Sequence, residues 1–257
     1  MTTPNIQQTR EDAFAVITLS QPKRRNTLSE VTLGELLEAL GEVASSDARG
    51  LILAAEGSVF SAGHDFQDLD DRNLQGIHSL LSLCREVMQT LQALPQPTIA
   101  QVEGLATAGG CQLVASCDLA VAAASSQFAV PGGRGGWFCT TPGVALVRAV
   151  GRKKALEMLL TGDPIDAATA MAWGLVNRVV PDDDVAKATR ELLSRATRGS
   201  TLSKAIGKRA FYQQVDLDID RAYDLATEVM ASSSQTEDGR EGVRAFLEKR
   251  KARFSDR

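Results

Sequence analysis

The pattern of apolar and polar positions changes once along the chain, near residue 180. Before it, short runs rich in apolar and β-branched residues predict buried strands at 13–19, 50–55, 98–102, 118–122 and 127–130. Apolar residues at helical spacing predict intervening helices at 29–44, 74–94 and 108–117. Strand pairs that alternate with helices predict repeated ββα units, and therefore an α/β fold.

From Pro181 onward the pattern is helical throughout, with helices predicted at 182–196, 201–214, 218–232 and 238–250. We therefore predict a domain boundary near Gly199. Residues 1–199 would form the core, and residues 200–257 a helical region.

One stretch, residues 97–118, contains the strongest functional signal. Its strand ends at Glu103-Gly104, and its helix carries Gly109-Gly110 in the first turn. Glycine is costly inside a helix, so this pair predicts a close approach of another group to the backbone. A helix start also offers free N–H groups and the positive end of the helix dipole. These features predict half of an oxyanion hole.

A second stretch, residues 57–66, follows the predicted strand at 50–55 and contains Ala62-Gly63-His64-Asp65. It could be an ordinary turn in which the glycine adopts a positive φ. It could also supply the second N–H group of the oxyanion hole.

Composition excludes several classes of function. The chain has 257 residues and a net charge of -4, so it lacks the basic excess of a general nucleic-acid-binding protein. No apolar run approaches the length of a membrane span, and the first twenty residues or so show no targeting pattern, which predicts a cytoplasmic protein without a membrane partner. The cysteines lack Cys-x-x-Cys spacing, so no metal site is expected. The glycines of residues 131–136 open no helix, which argues against a dinucleotide site.

These motifs together resemble the crotonase superfamily, the enoyl-CoA hydratase and isomerase family. The likeness covers nearly the whole chain. Within the superfamily, the sequence most resembles the enoyl-CoA hydratase domain-containing protein 3 group. It includes Pro22-Lys-Arg-Arg-Asn-Thr-Leu28, Ser61-Ala-Gly-His-Asp65, Gly104-Leu-Ala-Thr-Ala-Gly-Gly-Cys-Gln-Leu-Val-Ala-Ser-Cys-Asp118, Phe138-Cys-Thr-Thr-Pro-Gly-Val-Ala-Leu146, Leu159-Leu-Thr-Gly162, Ala172-Trp-Gly-Leu-Val176 and Phe246-Leu-Glu-Lys-Arg-Lys251. The resemblance implies a ClpP-like spiral of ββα units with a C-terminal helical trimerisation region.

The resemblance also implies a site for coenzyme A thioesters, without a metal or redox cofactor. The N–H groups of His64 and Gly109 would hold the thioester oxygen. Other implied contacts with the acyl-CoA are Arg24 or Arg25, Thr27, Ala62, Asp65, Phe66, Leu105, Pro131 and Trp137. Phe246 and Lys249 would reach the coenzyme from an adjacent subunit of a homotrimer or a dimer of trimers.

Hydratases of the family also use two glutamates for proton transfer, and here the matching positions hold Gln112 and Gly132. An amide does not titrate usefully and glycine has no side chain, so ordinary hydration of enoyl-CoA is not expected. Cys139 could be a packed thiol or a catalytic one, and the His64 side chain a bystander or a participant.

Two functions therefore remain open. The chain could be an acyl-CoA enzyme with altered or reduced activity, or it could bind acyl-CoA without turnover, as a carrier or sensor in lipid metabolism. A Ser-His-Asp hydrolase would need a serine at the helix start, where Cys111 and Gln112 lie instead.

Overall fold

The computed structural model describes residues 4–70 and 72–256. The strands are β1 (Ile6–Glu11), β2 (Phe14–Leu19), β3 (Gly50–Ala55), β4 (Val59–Ser61), β5 (Thr98–Val102), β6 (Leu105–Thr107), β7 (Leu119–Ala123), β8 (Gln127–Ala129), β9 (Ile165–Asp166) and β10 (Arg178–Val180). The helices are α1 (Glu30–Ser45), α2 (Leu74–Ala93), α3 (Gly109–Ser116), α4 (Thr140–Val150), α5 (Arg152–Thr161), α6 (Ala167–Trp173), α7 (Val185–Ala196), α8 (Thr201–Gln214), α9 (Ile219–Ser233) and α10 (Glu237–Leu247).

The strands form two sheets, and consecutive strands from β3 to β8 alternate between them. The larger sheet has the order β1-β2-β3-β5-β7-β10, and the smaller has the order β4-β6-β8-β9. Strands β3, β5 and β7 pair in parallel in the first sheet, and β4, β6 and β8 do so in the second. Each pair is followed by a helix, which confirms the predicted ββα units. In successive units, the strand ends and the helix starts therefore lie next to one another.

Local sequence signals explain where the first long helices begin. Ser29 precedes α1, and its hydroxyl accepts a hydrogen bond from the N–H of Thr32 at 3.1 Å. Asn73 precedes α2 and accepts from the N–H of Gly76 at 2.9 Å. Such side chains satisfy N–H groups that a helix start leaves free.

The main core lies against the larger sheet, and α1, α2 and α3 cover it with fully buried side chains. Its members include Leu33, Leu36, Leu53, Leu80, Val87 and Leu113. A smaller cluster on the opposite face packs Val16, Ile52 and Ile99 against Leu193 of α7. The parallel strands are thus apolar on both faces, as expected for a sheet covered by helices.

The C-terminal helices are joined to this core by a polar contact. Lys208 of α8 lies 2.8 Å from the carboxylate of Asp118 and also donates to the carbonyl oxygens of Leu91 and Gln96. Tyr212 donates to the same carboxylate at 2.8 Å. The division into domains at residue 199 stays a prediction.

Several features differ from the sequence analysis. Strand β1 was not predicted, because its outward side chains are polar and exposed. Four short strands (β4, β6, β9 and β10) and helices α4, α5 and α6 were not predicted either. The glycine-rich segment in which no helix was expected contains a 3-10 helical turn at Pro131–Gly135, where the N–H of Trp137 donates to the carbonyl of Gly132 at 2.9 Å. Within residues 4–70 and 72–256, none of the helices has the length and apolar character that crossing a bilayer requires.

Candidate active site

The two segments singled out in the sequence meet at their glycines, forming what we call the amide corner (Gly63, His64, Ala108 and Gly109). Gly63 has φ of 83°, and a methyl group built on it would lie 2.8 Å from both Ala108 Cβ and Gly109 N. A methyl group built on Gly110 would lie 2.3 Å from the carbonyl oxygen of Ser61. Only glycine permits the approach at Gly63 and Gly110, so contact between the segments explains these two glycines. Gly109 has more room, because a methyl group there would lie 3.1 Å from Leu28 Cδ1 and 3.5 Å from Gly63 Cα.

The N–H groups of His64 and Gly109 are both available in this corner. Neither donates a hydrogen bond to any other residue in the part of the chain described. Gly109 is the first residue of α3, so its N–H has no acceptor within the helix. Ala108 before it has φ of 50° and ψ of -116°, a strained conformation for a residue with a side chain. Its N–H donates to the carbonyl of Ala129 at 2.9 Å, which helps to hold this conformation.

His64 and Gly109 line one cavity, which we call the amide cavity, of about 590 Å³. This volume lies in the range typical of small-molecule sites. The structure brings together there the candidates Arg25, Ala62, His64, Phe66, Gly109, Pro131, Gly132, Trp137 and Cys139. It adds Leu81, Thr107, Ala108, Arg134, Gly135, Phe138, Thr140, Thr141 and Pro142.

Three other candidates form a support beneath the cavity and do not line it. The buried carboxylate of Asp65 accepts hydrogen bonds from Arg24 at 2.6 Å, from the Thr27 hydroxyl at 2.9 Å and from the N–H of Gln67 at 3.0 Å. Arg24 is thereby held away, whereas Arg25 lines the cavity and has no side-chain hydrogen bond or ion pair with residues 4–70 or 72–256. Leu105 lies in β6 outside the cavity lining.

Asn26 is a supporting residue that the sequence analysis missed. Its buried amide donates to the carbonyl oxygens of Glu56 and Val59 at 2.9 and 2.8 Å and accepts from the N–H of Gln21 at 2.9 Å. Its φ of 49° is a conformation that asparagine tolerates better than most residues. An asparagine directly after the basic run was the available signal.

Gly132, which the resemblance matches to the second hydratase glutamate, has no room for any side chain. A methyl group there would lie 2.2 Å from the carbonyl oxygen of Trp137 and 2.7 Å from Cys139 Sγ. Burial raises the pKa of the Cys139 thiol, although a hydrogen bond with the backbone of Gly132 offsets part of this effect. The thiol is therefore protonated at neutral pH and is neither a base nor a strong nucleophile.

The His64 side chain is the remaining group of the cavity that could exchange a proton near neutral pH. Its ring lies 6.3 Å from that of Trp137, and neither ring nitrogen has a hydrogen-bond partner among the residues described. Burial lowers the pKa of this imidazole, while the Leu28 carbonyl and the charge of Asp68 act in the opposite sense. His64 is therefore neutral at pH 7. No carboxylate is among the described residues that line the cavity.

Gln112 is one turn into α3 and lines a different cavity. This second cavity, of about 550 Å³, adjoins the first, because Leu81 and Thr141 line both. The match of Gln112 to the first hydratase glutamate, and any catalytic role there, stays a prediction. Phe246 and Lys249 lie at the end of the chain, outside both cavities, and their contact across subunits also stays a prediction.

Comparison with known proteins agrees with this geometry. A sequence model of the family described as enoyl-CoA hydratase/isomerase matches residues 9–257. The Mus musculus protein named enoyl-CoA hydratase domain-containing protein 3, mitochondrial, is 45% identical over 255 residues, covering 98% of this chain and 85% of that protein. A crystal structure of an enoyl-CoA hydratase from Mycobacterium smegmatis has a TM-score of 0.94 at 43% identity and covers 98% of this chain and 99% of that chain. The crystal structure of human enoyl-CoA hydratase domain-containing protein 3 has a TM-score of 0.93 at 44% identity, covering 97% of this chain and 100% of that chain. The spiral fold expected from the resemblance is thereby confirmed.

One prediction is contradicted by these relatives. We expected a cytoplasmic protein, but the similar proteins from mouse, rat and human are all named as mitochondrial. The expectation was wrong. Transport into an organelle depends on a separate targeting segment, and the composition of a folded domain does not indicate whether a protein carries one.

Proposed function

Because the chain belongs to the enoyl-CoA hydratase/isomerase family, in the group of enoyl-CoA hydratase domain-containing protein 3, we propose that it acts on coenzyme A thioesters. The N–H groups of His64 and Gly109 hold the thioester oxygen and stabilise the enolate that forms when an α-proton leaves. No metal or redox cofactor takes part.

The observation that carries this proposal is the amide corner. Two N–H groups from separate segments donate to no residue in the described part of the chain, lie side by side and line one cavity. Fixed donors of this kind stabilise developing negative charge without reorganising, and one donor is worth about 10²- to 10³-fold in rate. The start of α3 adds the positive end of its helix dipole.

The rim of the cavity is suited to an anionic coenzyme. Arg25 and Arg134 are its charged lining residues, and Arg134 is paired with Asp163 at 2.9 Å. Arg25 is therefore the cation left to bind a phosphate of the coenzyme. The half-exposed Trp137 and exposed Phe66 provide flat apolar surface beside it.

Ordinary hydration of an enoyl thioester is not the reaction that we propose. Hydration needs one group to deprotonate water and another to protonate the α-carbon, and each contributes about 10²- to 10⁴-fold. The described lining of the amide cavity offers neutral His64 and the protonated thiol of Cys139 instead of two carboxylates. This lack supports a second candidate function, binding of acyl-CoA without turnover.

A thioether analogue, which lacks the carbonyl oxygen, tests the proposal. We expect an acyl-CoA thioester to bind wild-type protein about ten-fold more tightly than its thioether, the value of one or two good hydrogen bonds. In Gly109→Val the two ligands should bind alike while the protein stays folded. Equal affinity in the wild type would show that the oxygen binds elsewhere.

Turnover separates the two functions. Enoyl-, acyl- and malonyl-type thioesters should be incubated with the protein and their products identified by mass spectrometry. Conversion of any of them supports the enzyme. Binding of all of them with no conversion supports the carrier.

We also propose that the C-terminal helices assemble the protein into a trimer or a dimer of trimers. Helices α8 and α9 border a groove of about 540 Å³, with exposed apolar side chains that include Phe211, Ile219, Tyr223 and Met230. Such surface favours burial by a neighbouring subunit. Phe246 and Lys249 would then contact coenzyme A of that neighbour. The mass in solution, measured by light scattering, tests the assembly, and a monomer would contradict it.

A further inference from the structure

The second cavity is a continuation of the amide cavity. The two share Leu81 of α2 and Thr141 of α4, so a ligand held at the amide corner can extend from one into the other. The amide cavity is lined by aromatic and proline side chains together with threonines and two arginines. The second cavity is lined by apolar side chains such as Met88 and Val144, by the carboxylate of Asp216, and by polar side chains that include Arg85, Gln112 and Arg148.

Gln112 on the floor of the second cavity needs a partner that the protein does not supply. Its side chain is 6% exposed, and its Oε1 has no hydrogen bond to any residue in the described ranges. Buried polar atoms are nearly always hydrogen-bonded, and leaving one without a partner is costly. Oε1 is an acceptor, so a ligand or a water molecule that donates a hydrogen bond would satisfy it, whereas a hydrocarbon or an ionised carboxylate would not. The Nε2 of the same amide can donate to a carboxylate.

Charge at the mouth of the cavity points to an anion. Arg148 is already neutralised, because its guanidinium lies 2.8 Å from the carboxylate of Asp216. Arg85 has neither an ion pair nor a hydrogen bond with residues 4–70 or 72–256, and it lines the same cavity. One guanidinium is therefore uncompensated, and its planar donors match a carboxylate.

The position of Arg85 along α2 matches the far end of a short acyl chain. Arg85 follows Leu81 by four residues, which places both on one face of the helix and about 6 Å apart along its axis. Leu81 marks the passage from the amide cavity. A chain of a few methylene groups that passes Leu81 thus ends near Arg85.

We propose that the second cavity receives the end of an acyl group that carries a carboxylate, so that the protein prefers dicarboxylic acyl-CoA thioesters. Arg85 pairs with the terminal carboxylate, and the Nε2 of Gln112 donates a hydrogen bond to it. The inference rests on the proposed function, because it assumes that the thioester lies at the amide corner.

Calorimetric binding of matched thioesters tests the inference. Glutaryl-CoA and adipoyl-CoA are compared with pentanoyl-CoA and hexanoyl-CoA, which have the same numbers of carbon atoms. We expect at least one dicarboxylic thioester to bind about ten-fold more tightly than its partner, the value of one charge-assisted hydrogen bond. Arg85→Gln should bring this ratio close to one, and Arg152→Gln, a change at an exposed arginine outside both cavities, should preserve it.

The outcomes separate the two levels of the proposal. A ratio near one in the wild type, or a ratio that Arg85→Gln leaves intact, overturns the preference but not thioester binding. Failure of all four thioesters to bind overturns the proposed function and the preference with it. Free glutarate is the last ligand to be tested. If it binds as tightly as glutaryl-CoA, Arg85 binds anions without the help of the coenzyme A thioester, and the inference is wrong.

Discussion

The amide corner and the loop from Pro131 to Cys139 lie on the same cavity but obtain their chemistry in different ways. The corner uses backbone N–H groups, and close packing of Gly63 and Gly110 fixes where they lie. The loop holds Gly132, which the resemblance matches to a hydratase glutamate, and here the Trp137 carbonyl oxygen and Cys139 Sγ fill that space. Chemistry that resides in the backbone persists as long as the fold does. Chemistry that resides in a side chain can be lost in one substitution.

The largest effect that we predict follows from moving the two N–H groups of the amide corner apart. In Gly63→Ala the new methyl group would lie 2.8 Å from Gly109 N, so one segment must shift. We expect turnover to fall by about 10²- to 10³-fold, the effect of losing one oxyanion donor, and the roughly ten-fold preference for thioester over thioether to be lost. Enzyme assays and calorimetry with the two ligands provide the measurement.

Gly174→Ala is the matched control for this change. Gly174 also has a positive φ, of 91°, but an added methyl group would meet only the Ala149 carbonyl oxygen, at 3.4 Å. Both variants carry backbone strain of about 1 kcal/mol, and only one disturbs the corner. Equal loss of ligand discrimination in the two variants would mean that strain, and not the position of the amides, controls binding.

A second prediction concerns the loop. Gly132→Glu restores the hydratase residue in sequence, yet we expect no hydratase activity, because the space for its Cβ is filled by the Trp137 carbonyl oxygen and Cys139 Sγ. Overpacking of this kind destabilises a protein by about 1–3 kcal/mol. Urea unfolding and loss of enoyl-CoA absorbance measure the two effects.

Gly135→Glu is the control within the same loop, because an added methyl group at Gly135 meets nothing within 4 Å. It should unfold like the wild type. Hydratase activity in Gly132→Glu would show that the loop can open, and the contrast between side-chain and backbone chemistry would then be weaker than the structure indicates.

The sequence predicted the corner well, because its signals are local. The apolar run at Thr98–Val102 ends at a glycine turn, and Gly109-Gly110 opens a helix as expected. Strand β3 also begins and ends where the pattern placed it. These features depend on residues close together in the chain, which an apolar pattern describes directly.

The rest of the site depends on contacts that no local pattern describes. Strands β4 and β6 have three residues each, too few to show a period. The absence of a side chain at Gly132 was evident, but the approach of the Trp137 carbonyl was not. The cavity that Gln112 faces depends on packing between α2, α3 and α4, which are distant in sequence.

The smallest effect that we predict concerns the ionisable side chain in the corner itself. Burial lowers the pKa of His64 below its unfolded value, so on acidification the unfolded chain binds this proton before the folded protein does. The free energy of unfolding therefore falls as the pH decreases through about 6.5, by at most about 1.4 kcal/mol per pH unit, and this contribution levels off below the folded pKa. Urea unfolding between about pH 7.5 and about pH 5 should show a smaller decline in His64→Gln than in the wild type, and His78→Gln, a change at the exposed second histidine, should behave like the wild type. If His64→Gln declines as steeply as the wild type, the imidazole accepts a proton in the folded protein, and the corner would combine a side-chain cation with its backbone amides.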